Sequence, residues 1–246
     1  MMKKQIKIAV IGLGYVGLPI ALEFSKKYKI VGFDINSNRI KSLKKGKDIN
    51  NEIIIPSSKI FKKNIHFTDK KHEINDCNIF IICVPTPVLK SKKPDLRMLI
   101  NSCNIVSKFI KPQDIVIFES TVYPTTTEKI CLPILEKGSK IICNRDNKDK
   151  NSFYLGYSPE RINPGDKKNN LTKTNKLVSS NSKIGLNKIY NLYKTIIKAK
   201  VIKVESIQVC ESSKVIENIQ RDVNIALMNE FSKIFRKMDL DIHQII

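Results

Sequence analysis

The 246-residue sequence has no tryptophan, and only 7% of its residues are aromatic. Its 9 glycines and 10 prolines are too few for a collagen-like or low-complexity chain. It has no run of about 20 uninterrupted apolar residues, so it predicts no transmembrane helix and no membrane partner. Hydrophobic residues nevertheless make up 41%. A chain of this length and composition buries a sizeable core, which excludes a wholly disordered protein.

Acidic residues are also scarce, since 23 Asp and Glu stand against 44 Lys and Arg, a formal net charge of +21. Such a charge suggests nucleic-acid binding, but only six of the basic residues are Arg. Nucleic-acid surfaces usually carry a basic stripe that includes arginines, and the lysines here are scattered. We therefore expect no nucleic-acid partner and interpret the lysines as solvated surface that steers anionic ligands.

None of the six cysteines belongs to a C-x-x-C pair, so the sequence predicts neither a metal site nor a redox motif. Reduced thiols and a cytoplasmic location are expected. The basic, apolar N-terminus is similar to a signal peptide. We interpret it otherwise, because GLGYVG interrupts it and the charged residues Glu23 and Lys26 follow.

The N-terminal residues instead predict a strand, a glycine loop and a helix. An apolar run over 6–11 precedes Gly12, Gly14 and Gly17, a helical pattern over 18–27 follows, and a second strand over 30–33 ends at Asp34. Together these form the dinucleotide-binding fingerprint, in which the helix N-terminus binds a pyrophosphate and the acidic residue binds the adenine ribose.

Asp34 favours NAD over NADP, because its carboxylate would repel a 2′-phosphate. Arg39 lies close in sequence and keeps NADP open as an alternative. Asp34 could instead cap the helix that follows it.

Further along the chain, strand-like runs alternate with helical patterns, which is typical of a parallel sheet. We predict an α/β fold: a doubly wound, mostly parallel Rossmann-type sheet followed by a long C-terminal helix. Its ligands would bind beyond the carboxyl ends of the strands. Strands are expected at 79–84, 115–118, 153–155 and 201–204, helices at 96–109, 127–137 and 207–238, and loops at 146–151 and 167–175.

Two segments outside the fingerprint carry groups suited to chemistry. On the long helix, Lys214, Asn218 and Arg221 fall on one stripe, while an apolar stripe that includes Ile219 and Val223 is expected to be buried. The alternative is an ordinary solvated stripe. YSPERINPGD places a carboxylate beside a guanidinium, although a plain connecting loop is the alternative.

In this order the segments resemble the UDP-glucose/GDP-mannose dehydrogenase family, and within it the UDP-N-acetylhexosamine 6-dehydrogenase branch that makes uronic acids for surface polysaccharides. The motifs that carry the resemblance are IAVIGLGYVGLPIA, VGFDIN, FIICVPTP, KKPDL, ESTVYP, GYSPERINPGD and KVIENIQRDVNIALMNE.

The resemblance implies oxidation of a UDP-sugar C6 alcohol to a carboxylate with two NAD+ in succession. The catalytic positions are then Lys214, Glu160, Asn218 and Thr121. The cofactor positions are Gly12, Gly14, Tyr15, Val16, Gly17, Asp34, Arg39, Thr86 and Thr121. The substrate positions are Arg161, Ile162, Lys214, Asn218 and Arg221. The implied domains are an NAD-binding domain over 1–205 and the start of a central dimerisation domain over 206–246.

The sequence departs from the family at several points. The family's nucleophilic cysteine stands in a GGHC-type motif beyond the long helix, and this motif is absent here, as is the family's UDP-binding domain. Cys210 lies one turn before Lys214, but the family carries a small residue there. Thr125 and Ser180 replace usual glycines, and each would strain the backbone if its position requires a positive φ.

Several interpretations therefore compete. The first is the cofactor half of a nucleotide-sugar 6-dehydrogenase, truncated or split, that dimerises through the long helix; in the split case a separate C-terminal half completes it. The second is a catalytically inactive remnant that binds NAD or a nucleotide sugar. The third is another Rossmann dehydrogenase, of the 3-hydroxyacyl-CoA or 6-phosphogluconate type, against which YSPERINPGD argues.

Overall fold

A computed structural model of the chain describes residues 5–50, 53, 55, 63–145, 149–161 and 171–245. The described strands form one eight-stranded sheet. They are β1 (Lys7–Ile11), β2 (Lys29–Phe33), β3 (Ile65–Thr68), β4 (Ile79–Ile82), β5 (Ile115–Phe118), β6 (Tyr154–Tyr157), β7 (Lys176–Ser180) and β8 (Val201–Lys203). Their spatial order is β3-β2-β1-β4-β5-β6-β7-β8.

Helices cover both faces of this sheet. They are α1 (Gly17–Ser25), α2 (Ser37–Lys44), α3 (Arg97–Val106), α4 (Leu132–Ser139), α5 (Lys183–Lys194), α6 (Ile207–Lys237) and the short α7 (Ile242–Ile245). A 3-10 turn lies at Lys71–Ile74, and a π-helical turn at Thr127–Cys131 leads into α4. The prediction of a doubly wound, mostly parallel sheet followed by a long helix is confirmed.

The central strands β1 and β4 are buried on both faces, which explains their unbroken apolar sequences. Each pairs in parallel with its neighbours, with Ile8 opposite Ile79 and Ile11 opposite Ile82. One hydrophobic cluster lies under α1 and α5, and the other lies under α3, α4 and the first turn of α6. The glycine loop therefore projects from the most rigid part of the sheet.

The elements not expected from the sequence include β3, β7 and α5, while α2 entered only as the alternative in which Asp34 caps a helix. Each mixes polar with apolar residues, as in the strand sequences IHFT and KLVSS, so none forms a clear apolar run. Several predicted boundaries also differ. The strand expected at 153–155 is Tyr154–Tyr157, and the helix expected to reach Phe109 ends at Val106. Of the predicted loops, 149–151 and 171–175 are turns, and the remainder lies outside the described residues.

The β6–β7 pair is the one antiparallel step in the sheet as described. Ser206 caps α6, and its hydroxyl accepts from the backbone N–H of Val209 at 3.2 Å. The helix then runs past the end of β6, because Cys210 contacts the carbonyl of Tyr157 and Ser213 contacts Arg161. It thus crosses the carboxyl edge of the sheet, where a ligand is expected.

Only the first turns of α6 pack against the sheet. Ile207, Cys210 and Glu211 are buried, whereas Ile219 and Val223 are each 57% exposed. The expectation that the helix buries its apolar stripe is therefore wrong for this chain. The reason is geometric: beyond its first two turns, the helix extends past the strands that would cover it.

Thr125 and Ser180, which replace usual glycines, differ in backbone conformation. Thr125 has φ +77°, so it does occupy the left-handed region that glycine favours. Ser180 is not among the described residues with positive φ, and its hydroxyl donates to the carbonyl of Leu155 at 2.6 Å. Strain is thus present at the first position alone.

In the described part of the chain, none of the helices combines the length and hydropathy that a membrane span requires.

Candidate functional site

The glycine loop requires glycine for three different reasons. Gly12 has φ +86°, a conformation that side chains disfavour. At Gly17, a Cβ atom would lie 1.9 Å from the carbonyl oxygen of Gly12, so the loop closes only without one. At Gly14, a Cβ would meet nothing within 4 Å. The protein leaves that space open, as close approach of a pyrophosphate to the backbone requires.

Helix α1 begins directly behind this loop. Its N-cap residue, Val16, supplies no side-chain hydrogen bond, so the first-turn N–H groups are not satisfied by a cap. Tyr15 is 45% exposed beside it. An uncapped helix N-terminus with open space in front of it suits an anionic group.

Asp34 follows β2 at the edge of the same loop. Its Oδ2 accepts from the backbone N–H of Leu13 at 2.8 Å, and its Oδ1 accepts from Asn36 at 2.9 Å. Helix α2 is capped by Asn36, whose side chain accepts from Asn38 and Arg39. The alternative that Asp34 is the helix cap is therefore wrong, and its carboxylate is fixed against the glycine loop.

Arg39 lies behind the loop and is 5% exposed. Its Nε and Nη2 donate to the carbonyl of Leu13 at 3.0 and 2.9 Å, and its Nη1 pairs with Asp48. Burial alone would raise the pKa of the Asp48 carboxyl, but hydrogen bonds from Arg39 and two backbone N–H groups hold it below its ordinary value. The guanidinium therefore supports the loop, and Arg39 also lines the smaller of two cavities beside it.

Two adjoining cavities flank the glycine loop at the carboxyl edge of the sheet. The smaller, of about 320 Å³, contacts Asp34 and the apolar side chains of Ile35, Ile49 and Met98. The larger, of about 520 Å³, is bounded by Tyr15, Val16, Thr86, Thr121 and Val215. They share five lining residues: Gly14, Asn50, Cys83, Val84 and Pro85. A two-lobed cleft of this kind fits a dinucleotide.

Hydrogen bonds join the loops that line the larger cavity. The hydroxyl of Thr86 donates to the carbonyl of Thr121, and Ser120 donates to the carbonyl of Val84 at 2.6 Å. The ends of β4 and β5 are thereby tied together at the position where the sequence predicted cofactor contacts. Among the described residues, no three His, Cys, Asp or Glu side chains form a group that could hold a metal ion.

A charged cluster lies where the segment after β6 meets α6. Glu160 is buried, and the Nε of Arg161 lies 3.3 Å from the Oε2 of Glu217. Burial lowers the pKa of the half-buried Lys214, while the carboxylates of Glu217 and Glu160 oppose this shift. The next residue along the helix, Val215, lines the larger cavity, so this cluster adjoins the cleft.

The remaining predicted substrate residues lie farther along α6. Arg221 donates to the Oε1 of Glu217 at 2.8 Å and to the Oδ1 of Asn218 at 3.3 Å, and both Asn218 and Arg221 are exposed. Glu217 thus contacts both arginines, a role that the sequence analysis did not assign. Ile162 lies outside the described residues.

A buried polar cluster under the larger cavity was also missed. Lys176 Nζ and Tyr193 OH both donate to the carboxylate of Glu119, which lines that cavity. Lys176 also donates to the carbonyl of Pro159 at 3.2 Å. Burial disfavours its charge, but the carboxylates of Glu119 and Glu160 raise the pKa of Lys176. One lysine among so many gave no signal, whereas Glu119 did follow a predicted strand end.

All six cysteines are buried free thiols. Burial raises the pKa of the Cys210 thiol to about 11, and its sulfur points to the carbonyl of Tyr157 at 3.9 Å. A nucleophilic cysteine needs an accessible, stabilised thiolate. Cys210 has neither property.

Comparisons with known proteins agree with this geometry. Residues 6–197 match the UDP-glucose/GDP-mannose dehydrogenase family, NAD binding domain, and residues 208–246 match the central domain of the same family. The segment that contains the glycine loop and Asp34 is therefore an NAD-binding domain of this family.

Individual relatives cover almost all of this chain. Protein CapL of Staphylococcus aureus is 47% identical over 97% of the chain and 54% of its own length. A UDP-N-acetyl-D-glucosamine 6-dehydrogenase of Salmonella typhi is 46% identical over 98% of the chain and 55% of its length. The solved structure of a UDP-D-ManNAc dehydrogenase from Pyrococcus horikoshii is 32% identical, with TM-score 0.88, over 98% of the chain and 56% of that structure.

The chain thus spans about half the length of the curated relatives that it matches. The match over both segments excludes the 3-hydroxyacyl-CoA and 6-phosphogluconate alternatives, which share only the general fold. With the fingerprint, the charged cluster on α6 and both family segments in the expected order, the chain belongs to the UDP-glucose/GDP-mannose dehydrogenase family.

Proposed function

We propose that this chain is the cofactor-binding half of an NAD-dependent UDP-N-acetylhexosamine 6-dehydrogenase, which makes uronic acid precursors of surface polysaccharides in the cytoplasm. The observation that carries the proposal is the position of α6. Val215 lines the cavity beside the glycine loop, and Lys214, the preceding residue on α6, interacts electrostatically with Glu160, which supports a catalytic role for both. The Salmonella typhi relative, 46% identical, is named for this activity.

The two lobes of the cleft support one orientation of the cofactor. Asp34 binds the adenine ribose hydroxyls in the smaller lobe, where a 2′-phosphate would meet its carboxylate. The nicotinamide end then lies in the larger lobe, near Thr86 and Thr121. NAD+, when bound, supplies the acceptor for the hydride that leaves C6 of the sugar.

The protein residues act on the substrate side. Arg161 and Arg221, with Asn218, bind the UDP-sugar, and Ile162 contacts it. The ammonium of Lys214 stabilises negative charge on the C6 oxygen as its proton leaves, an interaction that is strong in a half-buried site. Burial lowers the pKa of Lys214. Proton transfer between the Lys214 nitrogen and the C6 oxygen is therefore easier.

The second oxidation needs a thiol. A thiolate adds to the C6 aldehyde, loss of a second hydride gives a thioester, and water cleaves the thioester to the carboxylate and free thiol. Glu160 assists this hydrolysis. Because all six cysteines here are buried, the proposal assigns the thiol to the family's cysteine motif, in a further segment or a separate polypeptide.

The same burial favours a second candidate, a module that binds NAD and a nucleotide sugar without turnover. Both candidates share the domain division at residues 205 and 206, and both include a homodimer formed through α6. They differ in one respect: a separate C-terminal half that carries the cysteine motif restores activity to the first candidate and not to the second.

The assignment of NAD is tested by calorimetry on the purified chain. Asp34→Ala should weaken NAD+ binding by about 1–3 kcal/mol, the cost of lost hydrogen bonds to a charged group. Asp76→Ala, which removes an exposed carboxylate far from the cleft, is the matched control and should bind as the wild type does. Equal affinity of the wild type for NAD+ and NADP+ would contradict the assignment.

A further inference from the structure

Glu211 is a buried carboxylate at the base of α6, and it contacts a distant part of the chain. It is 0% exposed. Its Oε2 accepts from the backbone N–H of Thr125 at 2.6 Å, and its Oε1 accepts from that of Thr127 at 2.9 Å. Both oxygens are thus bonded to a segment more than 80 residues earlier in the sequence.

These two amides lie at the start of the π-helical turn that leads into α4. The turn has no side-chain cap of its own. Glu211 therefore caps it from another helix, and its negative charge lies at the positive end of the helix dipole. Thr125 is also the residue with φ +77°. Its strained backbone persists only where neighbouring groups hold it.

The segment that Glu211 holds is a wall of the NAD cleft. Thr121, Val122 and Tyr123, just before Thr125, line the larger cavity. On its own helix, Glu211 lies one turn before Lys214 and Val215, and Val215 lines the same cavity. One carboxylate thus joins the wall that carries Thr121 to the wall formed by Val215, the residue after Lys214.

The carboxylate at this position has both an energetic cost and a compensating role. Burial raises the pKa of Glu211 despite its hydrogen bonds from Thr127 and Thr125, which means that its charge is costly there. An apolar residue would avoid that cost but would leave two backbone N–H groups without an acceptor.

We propose that Glu211 is a positioning residue: it sets the Thr121 segment and Lys214 at a fixed separation across the nicotinamide lobe. The inference rests on the proposed function, because it takes the larger cavity as that lobe. It adds a residue that touches neither cofactor nor substrate.

Glu211→Gln is the first test variant, because it keeps the size of the side chain but places an amide group against one backbone N–H. In the cofactor-free protein, hydrogen exchange at residues 125–127 should become at least tenfold faster, while exchange in β1 and α1 stays unchanged. Affinity for NAD+ should fall about tenfold. Affinity for ADP-ribose, which lacks nicotinamide, should stay within twofold, whereas a general loss of structure would weaken both ligands.

A second substitution separates positioning from packing. Glycine adopts φ +77° without strain, so Thr125→Gly should reduce the need for Glu211. The double variant E211Q/T125G should recover most of the NAD+ affinity lost in E211Q. Glu230→Gln removes an exposed carboxylate on the same helix. It should change neither the hydrogen exchange at residues 125–127 nor the affinity for NAD+. If E211Q proves unfolded by circular dichroism, Glu211→Asp replaces it and should show the same selective loss.

The outcomes are distinguishable. Wild-type exchange at 125–127 in the variant would overturn the proposal, as would equal weakening of NAD+ and ADP-ribose or failure of T125G to rescue. If the wild type bound no NAD+, the proposed function would fail. Exchange at residues 125–127 would then still decide whether Glu211 holds the segment.

Discussion

At the residue scale, the glycine loop depends on an ion pair that lies behind it. Asp34 accepts from the N–H of Leu13, while the buried Arg39 donates to the carbonyl of the same residue. Asp48 in turn neutralises Arg39. The peptide groups of Leu13 are therefore fixed on both sides, which presents a preorganised backbone to the cofactor.

The Arg39–Asp48 pair predicts an acid-dependent stability. The pKa of Asp48 is lower in the folded chain than its ordinary value, so the stabilisation is present above the unfolded pKa of about 3.9 and is lost as pH falls through the folded value. Asp48→Asn should lower the free energy of unfolding by about 3 kcal/mol at pH 7, because it leaves Arg39 buried without a counter-charge.

Urea denaturation at pH 7, at pH 5 and at about pH 2.5 checks this prediction. The difference between wild type and Asp48→Asn should be the same at pH 7 and 5 and should shrink at the most acid pH. A difference that stays constant down to that pH would contradict it. Asp76→Asn, at an exposed position, serves as the control and should unfold like the wild type at pH 7.

The sequence predicted individual site residues unevenly. Gly12, Gly14, Gly17 and Asp34 lie in a local pattern whose spacing is fixed by the loop itself, so they were predicted. Asp48 was not, because its role depends on a contact across the fold rather than on neighbours in sequence. The same holds for Glu211, whose partners lie more than 80 residues away.

At the scale of elements, the reversal of strand direction between β6 and β7 places a lysine in the interior. Lys176 begins β7 and donates to Glu119, the residue after β5, and to Pro159, after β6. Tyr193 on α5 donates to the same carboxylate. Four elements thus meet at one buried ion pair beneath the larger cavity.

We predict that Lys176→Met lowers the free energy of unfolding by about 3–5 kcal/mol, because it leaves the charge of Glu119 buried and unpaired. The double variant K176M/E119Q should recover most of this loss, since its neutral amide still accepts from Tyr193. Lys173→Met, at an exposed lysine three residues earlier, should stay within about 0.5 kcal/mol.

Denaturant titrations of the three variants provide the measurement. An equal loss in the single and double variants would show that the lysine acts through packing rather than through charge.

Strands that are continuous apolar runs were predicted well, and elements of mixed polar and apolar sequence were not. β1, β4 and β5 are continuous apolar runs because both of their faces are covered. β3 and β7 have fewer apolar residues, and α2 begins at a cap that no periodic pattern marks. The long α6 was predicted almost to the residue, but the extent to which its apolar stripe is exposed depends on tertiary packing.

At the scale of the whole molecule, the far part of α6 carries large exposed apolar residues: Ile216, Ile219, Val223, Leu227, Phe231 and Ile234. We predict that the chain self-associates at micromolar concentration, because an apolar surface of this extent favours association. Val223→Lys should shift the equilibrium towards monomer.

Sedimentation velocity over a range of concentrations measures this prediction, with Asn224→Lys as a control for added charge. A compact monomer at tens of micromolar, or an unchanged distribution in Val223→Lys, would argue against it.

We also predict that the 246-residue chain alone forms no detectable NADH from UDP-glucose, UDP-N-acetylglucosamine or UDP-N-acetylgalactosamine. The buried thiols cannot hold the aldehyde between the two oxidations, and remote binding energy for the nucleotide is missing. A separately expressed half with the cysteine motif should restore activity, as monitored at 340 nm.

Steady formation of two NADH per sugar by the chain alone would show that the nucleophile lies within it, and Cys210→Ser would then identify it. Restoration by the added half would separate the enzyme from the inactive binding module.

The reach of α6 has a mechanical consequence. The helix has 31 residues, and the part beyond Asn218 extends about 30 Å from the packed base. A tilt of about two degrees at that base displaces the far end by about 1 Å over this length. A rigid tilt of the helix about Glu211 therefore converts a slight adjustment around Lys214 into an ångström-scale displacement near Phe231.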